Sequence, residues 1–324
     1  MIVALGLHAR TITIDSSVSS KEANRLAARM QGGDTLLLKS GTFHVNLQLN
    51  NLHGHLDDPI VIAGERRDGT LINGGCPEPS NVAEAYAISV SHSSWITIEN
   101  LSIRNSWTDA IRVDESSYIT ARKLNVKGSR RLVFATGRRS HHFLVENCIW
   151  EQDEKVWKKE GDYTWAELHH GKYRCYNGSI FQGRRISGSF IIRNNYIRNV
   201  YNGIRLSAME GVEQDSLACS NGLIYDNVIE NSADNAFEPE VYCKNLHFFH
   251  NHMVNSHAFI SLTEVGGGDL YIYGNTGIKA DDCKDGWTIY KISGKERPFT
   301  RPVYIFNNSW YVDSTIYGKV RDPY

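Results

Sequence analysis

One asparagine-centred repeat limits the fold of this chain more than any other feature of its sequence. Eight segments, from WITIENLSI at Trp95 to VYIFNNSW at Val303, share a template of an alternating strand, an Asn and a second short strand. Four of the seven intervals between successive centres are 23 or 24 residues, one is 48, and two are 32 or 33. Lys123 takes the central place once, and the other centres are Asn100, Asn147, Asn195, Asn227, Asn251, Asn275 and Asn308.

A period of this length, with two or three short strands in it, is typical of one coil of a parallel β-helix. Recurrent Asn supports this interpretation, because Asn tolerates a left-handed backbone and can bond to the Asn of the next coil. A β-propeller needs periods of roughly 40 residues or more. The repeat therefore predicts an all-β chain whose residues 1–324 form one single-stranded parallel β-helix domain. We expect one turn of it to stack Asn100, Asn147, Asn195, Asn227, Asn251 and Asn275.

An amphipathic segment precedes the repeat and predicts a capping α-helix. The stretch SSKEANRLAARM covers Ser19–Met30, with Ser19 or Ser20 placed to cap it and Glu22 in its first turn. Two glycines follow and would end the helix. A helix before the first full coil closes the open end of a stacked sheet, so we expect an N-terminal cap over about residues 11–45.

Composition excludes some function classes. The net charge of −1 does not indicate a nucleic-acid partner, and no apolar run approaches the roughly 20 residues of a membrane span. The apolar start, Met1–Leu7, is too short for a complete signal peptide. The six cysteines are widely spread without a CxxC pair, which argues against zinc and leaves buried thiols or one or two disulfides open.

Charged residues of both signs converge in the middle of the chain. The segments NGIRLS, NAFEPE and HAFISL align as stacked strands that begin at Asn202, Asn235 and His257. As parallel neighbours, Arg205 and Glu238 would lie about 4.8 Å apart along the stack. Glu240 would share their face, because side chains repeat with a period of two along a strand. This face is the predicted functional site.

The repeat from about Ser19 to Tyr311 resembles the right-handed parallel β-helices of the pectate-lyase superfamily. The opening SSKEANRLAARMQGGDTLLLKSGTF, followed by PIVIAGERRDGTLING, is similar to the start of alginate-lyase and chondroitinase-B-like polysaccharide lyases. The resemblance implies a right-handed helix and a lyase that cleaves an acidic, uronate-containing polysaccharide by β-elimination. It also implies a secreted or periplasmic location.

The resemblance further implies specific residue roles. Calcium would be held by Asn202, Glu238 and Glu240, and Lys244 would be the catalytic lysine that follows the Glu-x-Glu pair. The Arg-His-Gly triplet of those lyases is missing, since residues 261–267 read SLTEVGG, which leaves Arg205 as a substitute for its arginine.

The chemistry leaves three classes of function open. Elimination needs a base and a cation beside the developing enolate. Ca²⁺ suits the second role, because it prefers carboxylate and amide oxygens as ligands. The candidate catalytic residues for elimination are Arg205, Lys244, Glu238, Glu240 and His257. Inverting glycoside hydrolysis instead needs one protonated and one ionised carboxyl, for which the candidates are Asp234, Glu238 and Glu240. The third class is a non-catalytic carbohydrate-binding or structural β-helix, in which these residues form only ion pairs and packing contacts.

An aromatic and charged insertion over about residues 151–185 interrupts the repeat. Aromatic side chains among Lys, Arg and Glu in a long loop suit stacking on sugars, although such a loop can also pack its own rings onto the coil. We expect it to border a groove for a polysaccharide or oligosaccharide. The predicted substrate-binding residues are Arg112, Trp165, Tyr173 and Tyr201.

Overall fold

The computed structural model describes residues 9–80, 86–158, 163–207, 219–240, 242–263, 265–279, 288–293, 300–312 and 318–320. Within these ranges the chain winds in successive coils, and each coil adds a strand to the sheets that run along its sides. Every strand pairing among the described residues is parallel, from Thr11 opposite Thr35 to Ile292 opposite Val320. This is the parallel β-helix that the repeat predicts.

The strands fall into three sheets. Sheet A contains β1 (Thr11–Ile14), β2 (Thr35–Leu38), β5 (Ile60–Gly64), β8 (Ser94–Glu99), β10 (Ser117–Arg122), β12 (His141–Glu146), β15 (Gly188–Arg193), β18 (Ser220–Tyr225), β21 (Lys244–Phe249), β24 (Gly268–Tyr273) and β27 (Val303–Phe306). Sheet B contains β3 (Gly41–Phe43), β4 (Leu47–Asn50), β6 (Thr70–Cys76), β7 (Ile88–Ser91), β9 (Ser102–Asp114), β11 (Asn125–Thr136), β13 (Ile149–Glu151), β14 (Phe181–Arg184), β16 (Tyr196–Val200), β19 (Val228–Ser232), β22 (His252–Val254), β25 (Thr276–Lys279) and β28 (Ser309–Val312). Sheet C contains β17 (Ile204–Ser207), β20 (Asn235–Glu240), β23 (Ala258–Thr263), β26 (Thr288–Ser293) and β29 (Gly318–Val320).

One continuous hydrophobic core fills the coils from Ile14 to Ile289. It arises because alternate residues of each strand point inward and the same positions stack from coil to coil. Phe190, for example, pairs with Gly222 on the next coil, and a Cβ at Gly222 would lie 2.4 Å from the Phe190 ring. The glycine thus provides the space that the large ring of its neighbour fills.

The helix α1 (Ser20–Ala27) caps the start of this core. Ser19 is its N-cap, and the Ser19 hydroxyl accepts a hydrogen bond from the backbone N–H of Glu22 at 3.2 Å. Ala23 and Ala27 are buried against the coil. The helix ends at Ala27, three residues before the predicted boundary at Met30. The backbone N–H groups of Arg29 and Met30 bond to carbonyls three residues back, which tightens the last turn.

The turn between sheets A and B has two distinct positions that Asn residues occupy, and the predicted stack of asparagines combined them. The first has a left-handed backbone, with φ of 57° at Asn100 and 56° at Asn147. The second is a ladder of side-chain amides that begins at Asn195. On the preceding coil this position is occupied by Cys148, whose backbone N–H donates to Asn195 Oδ1 at 2.9 Å. The predicted stack is therefore wrong for Asn100 and Asn147. It is confirmed for Asn195, Asn227, Asn251 and Asn275, and it continues to Asn308.

Removing one rung of the ladder is expected to destabilise the whole helix. Asn251 Oδ1 accepts from the backbone N–H of Asn227, and its amide donates to the carbonyl of Ile224, all in the buried interior. Asn251→Ala leaves these groups without partners, at a cost of roughly 1–3 kcal/mol for each. Urea unfolding should show this loss of unfolding free energy. The control is Asn147→Gly, in the left-handed position outside the ladder, whose unfolding free energy should stay within about 0.5 kcal/mol of the wild type. Equal unfolding midpoints for both variants would contradict the role of the ladder.

Five cysteines within the described ranges are free thiols, and four of them are buried. They are Cys76, Cys148, Cys175, Cys219 and Cys243. Cys283 lies outside the described residues. Burial raises the pKa of the Cys148 thiol to about 12, which makes this residue an inert core side chain.

The insertion folds as a compact layer over the outer side of the coils. It contains α2 (Glu154–Lys158), α3 (Trp165–His169) and a 3₁₀-helix at Arg174–Tyr176. Its apolar residues form a second hydrophobic cluster with residues of the coils. That cluster consists of Trp107, Val156, Leu168, Cys175, Tyr176, Tyr201 and Ala233. The insertion therefore covers part of the face on which the charged residues converge.

Candidate functional site

The charged face predicted from the sequence exists on sheet C. Arg205 on β17 pairs with Glu238 on β20, and Ser207 pairs with Glu240, as the alignment of the first two segments predicts. The third segment is displaced by one residue, because Asn235 pairs with Ala258 and not with His257. Both faces of β23 are buried, so the alternation of apolar residues could not determine its register.

This face is enclosed, unlike the outer face of a typical strand. The side chain of Glu238 is only 7% exposed, and Asp234, on the turn before β20, is also buried. A buried carboxylate needs a partner, because the loss of water strongly disfavours its charged form. The partners around Glu238 therefore decide what chemistry the site supports.

Arg205 is the central partner of the site. Its Nε and Nη2 donate to Glu240 Oε2 at 2.9 and 2.6 Å, and its Nη1 donates to Asn177 Oδ1 at 2.7 Å. Glu238 is further away, with 3.7 Å between Arg205 Nε and Glu238 Oε2. Burial opposes the charge of Arg205, but Glu238 and Glu240 outweigh it and raise the Arg205 pKa. Arg205 is therefore a permanent cation and not a base.

The two glutamates ionise in opposite directions. Burial, reinforced by the charge of Glu240, raises the pKa of Glu238 well above its ordinary value of 4.5. Burial also opposes ionisation of Glu240, but the charge and hydrogen bonds of Arg205 outweigh it and lower the Glu240 pKa. The two residues are two positions apart on β20, so their side chains share one face of the strand. In the pH range between the two pKa values the pair therefore holds one proton on Glu238 and one negative charge on Glu240.

A hydrogen bond links the insertion to a tyrosine beside the carboxyls. The Tyr201 hydroxyl lies 2.9 Å from His169 Nδ1. Burial, with the charges of Asp234 and Glu238, raises the Tyr201 pKa, so its phenol stays protonated. Burial lowers the pKa of His169, which keeps its imidazole neutral at pH 7. Asp234 Oδ1 and Glu238 Oε2 are buried and have no hydrogen-bond partner among the described residues.

The site is completed by Asn177 and His169, whose place in it no sequence repeat predicts. Both lie in the insertion, where no repeat predicts a position in space. Asn177 joins two basic groups, because its carbonyl accepts from Arg130 Nε at 2.6 Å while its side chain binds Arg205. Burial lowers the pKa of Arg130 to about 9. The only available signal was the polar and aromatic composition of the loop.

The predicted substrate-binding residues fall into different environments. Tyr201 is fully buried within the site. Trp165 stacks on His169 with ring centroids 4.5 Å apart and remains 37% exposed. Tyr173 instead stacks on Tyr163 at 4.2 Å, within the insertion.

Arg112 lies further along the same side of the coils. Its guanidinium is 3.5 Å from Asp109 and lies over the Phe134 ring at 4.3 Å. Asp109 also forms a buried ion pair with Arg131, whose Nη1 donates to Gln182 at 3.1 Å. Arg112 therefore belongs to a neighbouring polar cluster on the sides of β9 and β11.

Of the other two predicted catalytic residues, Lys244 lies on another sheet, whereas His257 lies next to Ala258, whose N–H donates to the Asp234 carbonyl at 2.9 Å. Lys244 begins β21 on sheet A, where it pairs with Ser220 and Gly268, so it is on a different side from the glutamates. His257 lies at the turn that enters β23, where its N–H donates to the Ser232 carbonyl at 2.9 Å. Lys244 lies on sheet A because the chain passes from sheet C to sheet A between Glu240 and Lys244.

Two of the residues predicted to bind calcium already have protein partners. Asn202 Oδ1 accepts from the backbone N–H of Asn235 at 3.0 Å, and Glu240 is already neutralised by Arg205. Ca²⁺ requires six to eight oxygen ligands, with several of them free to turn towards the ion. Across the described ranges, no three His, Cys, Asp or Glu side chains come together as metal ligands. The arrangement around Glu238 and Glu240 fits a guanidinium and not a cation of this kind.

Trp165→Ala is expected to weaken binding of a long oligosaccharide about tenfold, because its exposed ring borders the site through His169. The melting temperature should change by only a few degrees. Tyr173→Ala is the matched control, since that ring stacks inside the insertion. Isothermal titration calorimetry with the same oligosaccharide tests both variants. Unchanged affinity together with a large loss of stability in Trp165→Ala would show that this ring serves packing alone.

Comparisons with known proteins agree with this architecture. The profile of the family described as "Right handed beta helix region" matches residues 86–284. The chain is similar in structure to an alginate lyase from Paenibacillus sp. str. FPU-7, with a TM-score of 0.61 and 14% identity over 96% of this chain and 98% of that one. It is similar to pectate lyase Pel9A, with a TM-score of 0.63 and 12% identity over 94% and 79% of the two chains.

A third similar structure is the tailspike protein of E. coli bacteriophage HK620 in complex with a pentasaccharide. Its TM-score is 0.59 and its identity is 12%, over 96% of this chain and 57% of the tailspike chain. At these identities the likeness establishes the fold alone. No curated protein sequence matches the chain. None of the helices in the described ranges has the length and apolarity that a membrane crossing requires.

Proposed function

Because the chain belongs to the right-handed β-helix family, we propose that it acts on a polysaccharide and that a cleft on sheet C, formed around Arg205, Glu238 and Glu240, hydrolyses a glycosidic bond. In this proposal Glu238 is the general acid. Asp234 is the general base, Glu240 keeps the proton on Glu238, and Trp165 borders the bound sugar. The polymer-acting β-helix enzymes among the similar structures make a polysaccharide the natural class of substrate.

One observation carries the proposal of hydrolysis. Neighbouring carboxyls whose pKa values are driven apart are the arrangement that acid–base catalysis at a glycosidic oxygen requires. Glu238 is kept protonated by burial, and Glu240 is kept ionised by Arg205. The elimination mechanism needs instead a free cation beside the substrate carboxylate. The charge of Arg205 is already bound by Glu240 and Asn177.

The proposed mechanism assigns a separate task to each carboxyl. Glu238 donates its proton to the glycosidic oxygen as the C–O bond to the anomeric carbon breaks. Glu238 and Glu240 lie two residues apart on the same face of one strand, so they do not face each other across a scissile bond, as the carboxyls of inverting enzymes do at roughly 6.5–9.5 Å. Asp234, with a buried oxygen that lacks a partner among the described residues, is therefore the carboxylate that takes the proton from the attacking water. Glu240, held ionised by Arg205, keeps the proton on Glu238 through its negative charge.

A second candidate, β-elimination, is favoured by a specific feature of the same cleft. His169 is neutral and bonded to the Tyr201 hydroxyl, so an imidazole is present that can take a proton next to a phenol that can donate one. This reaction is the one that the resemblance implies. Its substrate would be a uronate polymer.

The two reactions are distinguished by their products. We expect incubation with a panel of neutral and uronate polysaccharides to release new reducing ends without an ultraviolet-absorbing double bond. The control is the Glu238→Gln protein, which should release neither. Reducing ends accompanied by absorbance of the unsaturated uronate would establish elimination and overturn hydrolysis. No product from any polymer would favour a binding or structural function.

Chelators are expected to leave the activity unchanged, because the described geometry around Glu240 fits Arg205 and not Ca²⁺. The measurement is the rate after incubation with EDTA followed by desalting, with added CaCl₂ as the control. Loss of activity that Ca²⁺ restores would revive the predicted calcium site at Asn202, Glu238 and Glu240.

We also propose a secreted or periplasmic location, because a polymeric substrate is met outside the cytoplasm. Cell fractionation of the native host, followed by detection of the protein with an antibody, tests this. Recovery in the cytoplasmic fraction alone would contradict it.

A further inference from the structure

A second ligand site is suggested by a ladder of aromatic rings on the outer face of sheet A. The Trp95 and Tyr118 rings are stacked with centroids 4.0 Å apart and planes 6° from parallel. The Tyr118 and His142 rings follow at 4.5 Å and 26°. The three residues occupy the same place on successive coils, near the starts of β8, β10 and β12. Sheet A is a different side of the helix from the cleft on sheet C.

The backbone at these three positions is left-handed, with φ of 59° at Trp95, 57° at Tyr118 and 57° at His142. Further along the same sheet, the corresponding left-handed residues are Ser189, Asn221, Asn245 and Asp269. Small residues, Asn and Asp tolerate this conformation, whereas a bulky aromatic residue in it is an outlier. Strained outliers of this kind concentrate at functional sites. The fold requires the turn, but it does not require rings there.

The ladder ends at an open rung. Ser189 follows His142 in the series and is too small to cover the outer face of the His142 ring. A cavity of about 490 Å³ runs over this point, lined by Trp95, Tyr118, His142, Ser189, Asn221 and Leu223 among others. His142, Asn221 and Leu223 are exposed. One flat ring of ligand would continue the stack at the place where the protein supplies none.

The lining of the cavity determines the class of ligand. Among the described residues that line it there is no Asp, Glu, Lys or Arg. Hydroxyl and amide groups come from Thr97, Thr120, Ser189 and Asn221. An apolar floor with stacked rings, neutral hydrogen-bonding groups and no charge suits the face and hydroxyls of an uncharged sugar.

From this geometry we infer that the Trp95–Tyr118–His142 ladder is a binding site for a neutral polysaccharide, separate from the catalytic cleft. One sugar ring stacks on His142 above Ser189, and its hydroxyls bond to Asn221. This inference goes beyond the proposed function, because it concerns another side of the molecule and needs no reaction. Its effect would be to hold the polymer while the cleft acts.

Affinity electrophoresis tests the site, with Glu238→Gln as the background so that no substrate is cleaved. Gels contain one soluble polymer each: galactomannan and xyloglucan as neutral probes, polygalacturonate and alginate as acidic ones. We expect a neutral polymer to retard the protein and Tyr118→Asn to raise the dissociation constant about tenfold or more. Asn suits the left-handed backbone, so the melting temperature should not fall. Ser189→Tyr should also abolish retardation, by filling the open rung with a ring of the protein.

The matched control is Tyr271→Ser, which removes a ring stacked on His247 on the same sheet but outside the cavity. It should leave retardation unchanged. Retardation that survives both Tyr118→Asn and Ser189→Tyr would overturn the inference, as would the absence of retardation by either neutral polymer. Retardation lost only in Trp165→Ala would assign binding to the cleft. A change in mass by light scattering upon Tyr118→Asn would show that a second copy of the chain covers the ladder.

Discussion

Glu238→Gln is expected to lower kcat by about 10²- to 10⁴-fold, the usual cost of removing a general acid, with little change in KM. The glutamine side chain keeps the shape of the carboxyl but has no proton to transfer. Because Glu238 is buried in its neutral form, the variant should fold as the wild type does. Initial rates of reducing-end release, together with the melting temperature, measure both effects.

The pH dependence gives this variant a second readout. The raised pKa of Glu238 places the basic limb of a bell-shaped profile above the ordinary 4.5, and activity is lost as pH rises through it. The lowered pKa of Glu240 places an acidic limb below 4.5, and activity is lost as pH falls through it. Glu238→Gln should remove the basic limb from the residual activity.

The stability of the wild-type protein should also depend on the protonation of Glu238, and it should decrease as pH rises. Folded Glu238 binds its proton more tightly than the unfolded chain does, so stability falls as pH rises from 4.5 through the raised pKa. Glu238→Gln should abolish this fall. The matched control is Glu99→Gln, which alters a more exposed Glu–Arg pair on sheet A. An enzyme that keeps its full rate in Glu238→Gln would show that the catalytic carboxyl has been misassigned.

Arg205→Met is expected to destabilise the protein by about 3–5 kcal/mol, the cost of leaving a buried ionic partner uncompensated. Glu240 loses its cation, Asn177 loses its donor, and Glu238 loses a positive neighbour. Urea unfolding at neutral pH measures the loss. Activity should also collapse, because the pKa of Glu240 rises and the pair no longer holds one proton and one charge.

Two further variants isolate the cause. Arg122→Met breaks a pair with Glu99 whose arginine side chain is 42% exposed, so its cost should stay within about 1 kcal/mol. The double variant Arg205→Met with Glu240→Gln should recover much of the stability, because the unpaired charge is gone, but none of the activity. A single Arg205→Met that is as stable as Arg122→Met would contradict the burial of the cluster. Recovery of activity in the double variant would show that the charge on Glu240 is not used.

The architecture was accessible from the sequence because a β-helix repeats a local solution. The period of 23 or 24 residues and the helix after Ser19 follow from periodicity and capping, which need no knowledge of distant contacts. The pairing of Arg205 with Glu238 followed in the same way. The amide ladder was only partly predicted, since Asn100 and Asn147 lie one residue before it, and a shift of one residue exchanges the left-handed position for the buried one.

Tertiary structure alone decided what the charged face can do. The register of β23 was indeterminate because both of its faces are buried, and Lys244 is on another sheet because the chain turns after Glu240. Asn177 and His169 reach the site from an insertion that has no period. Burial of Glu238 among these groups raises the pKa of that carboxyl. Sequence therefore determined which residues stack along the coils. Only the packing around the carboxyls determined which of them keeps its proton, because desolvation depends on everything that surrounds a group in space.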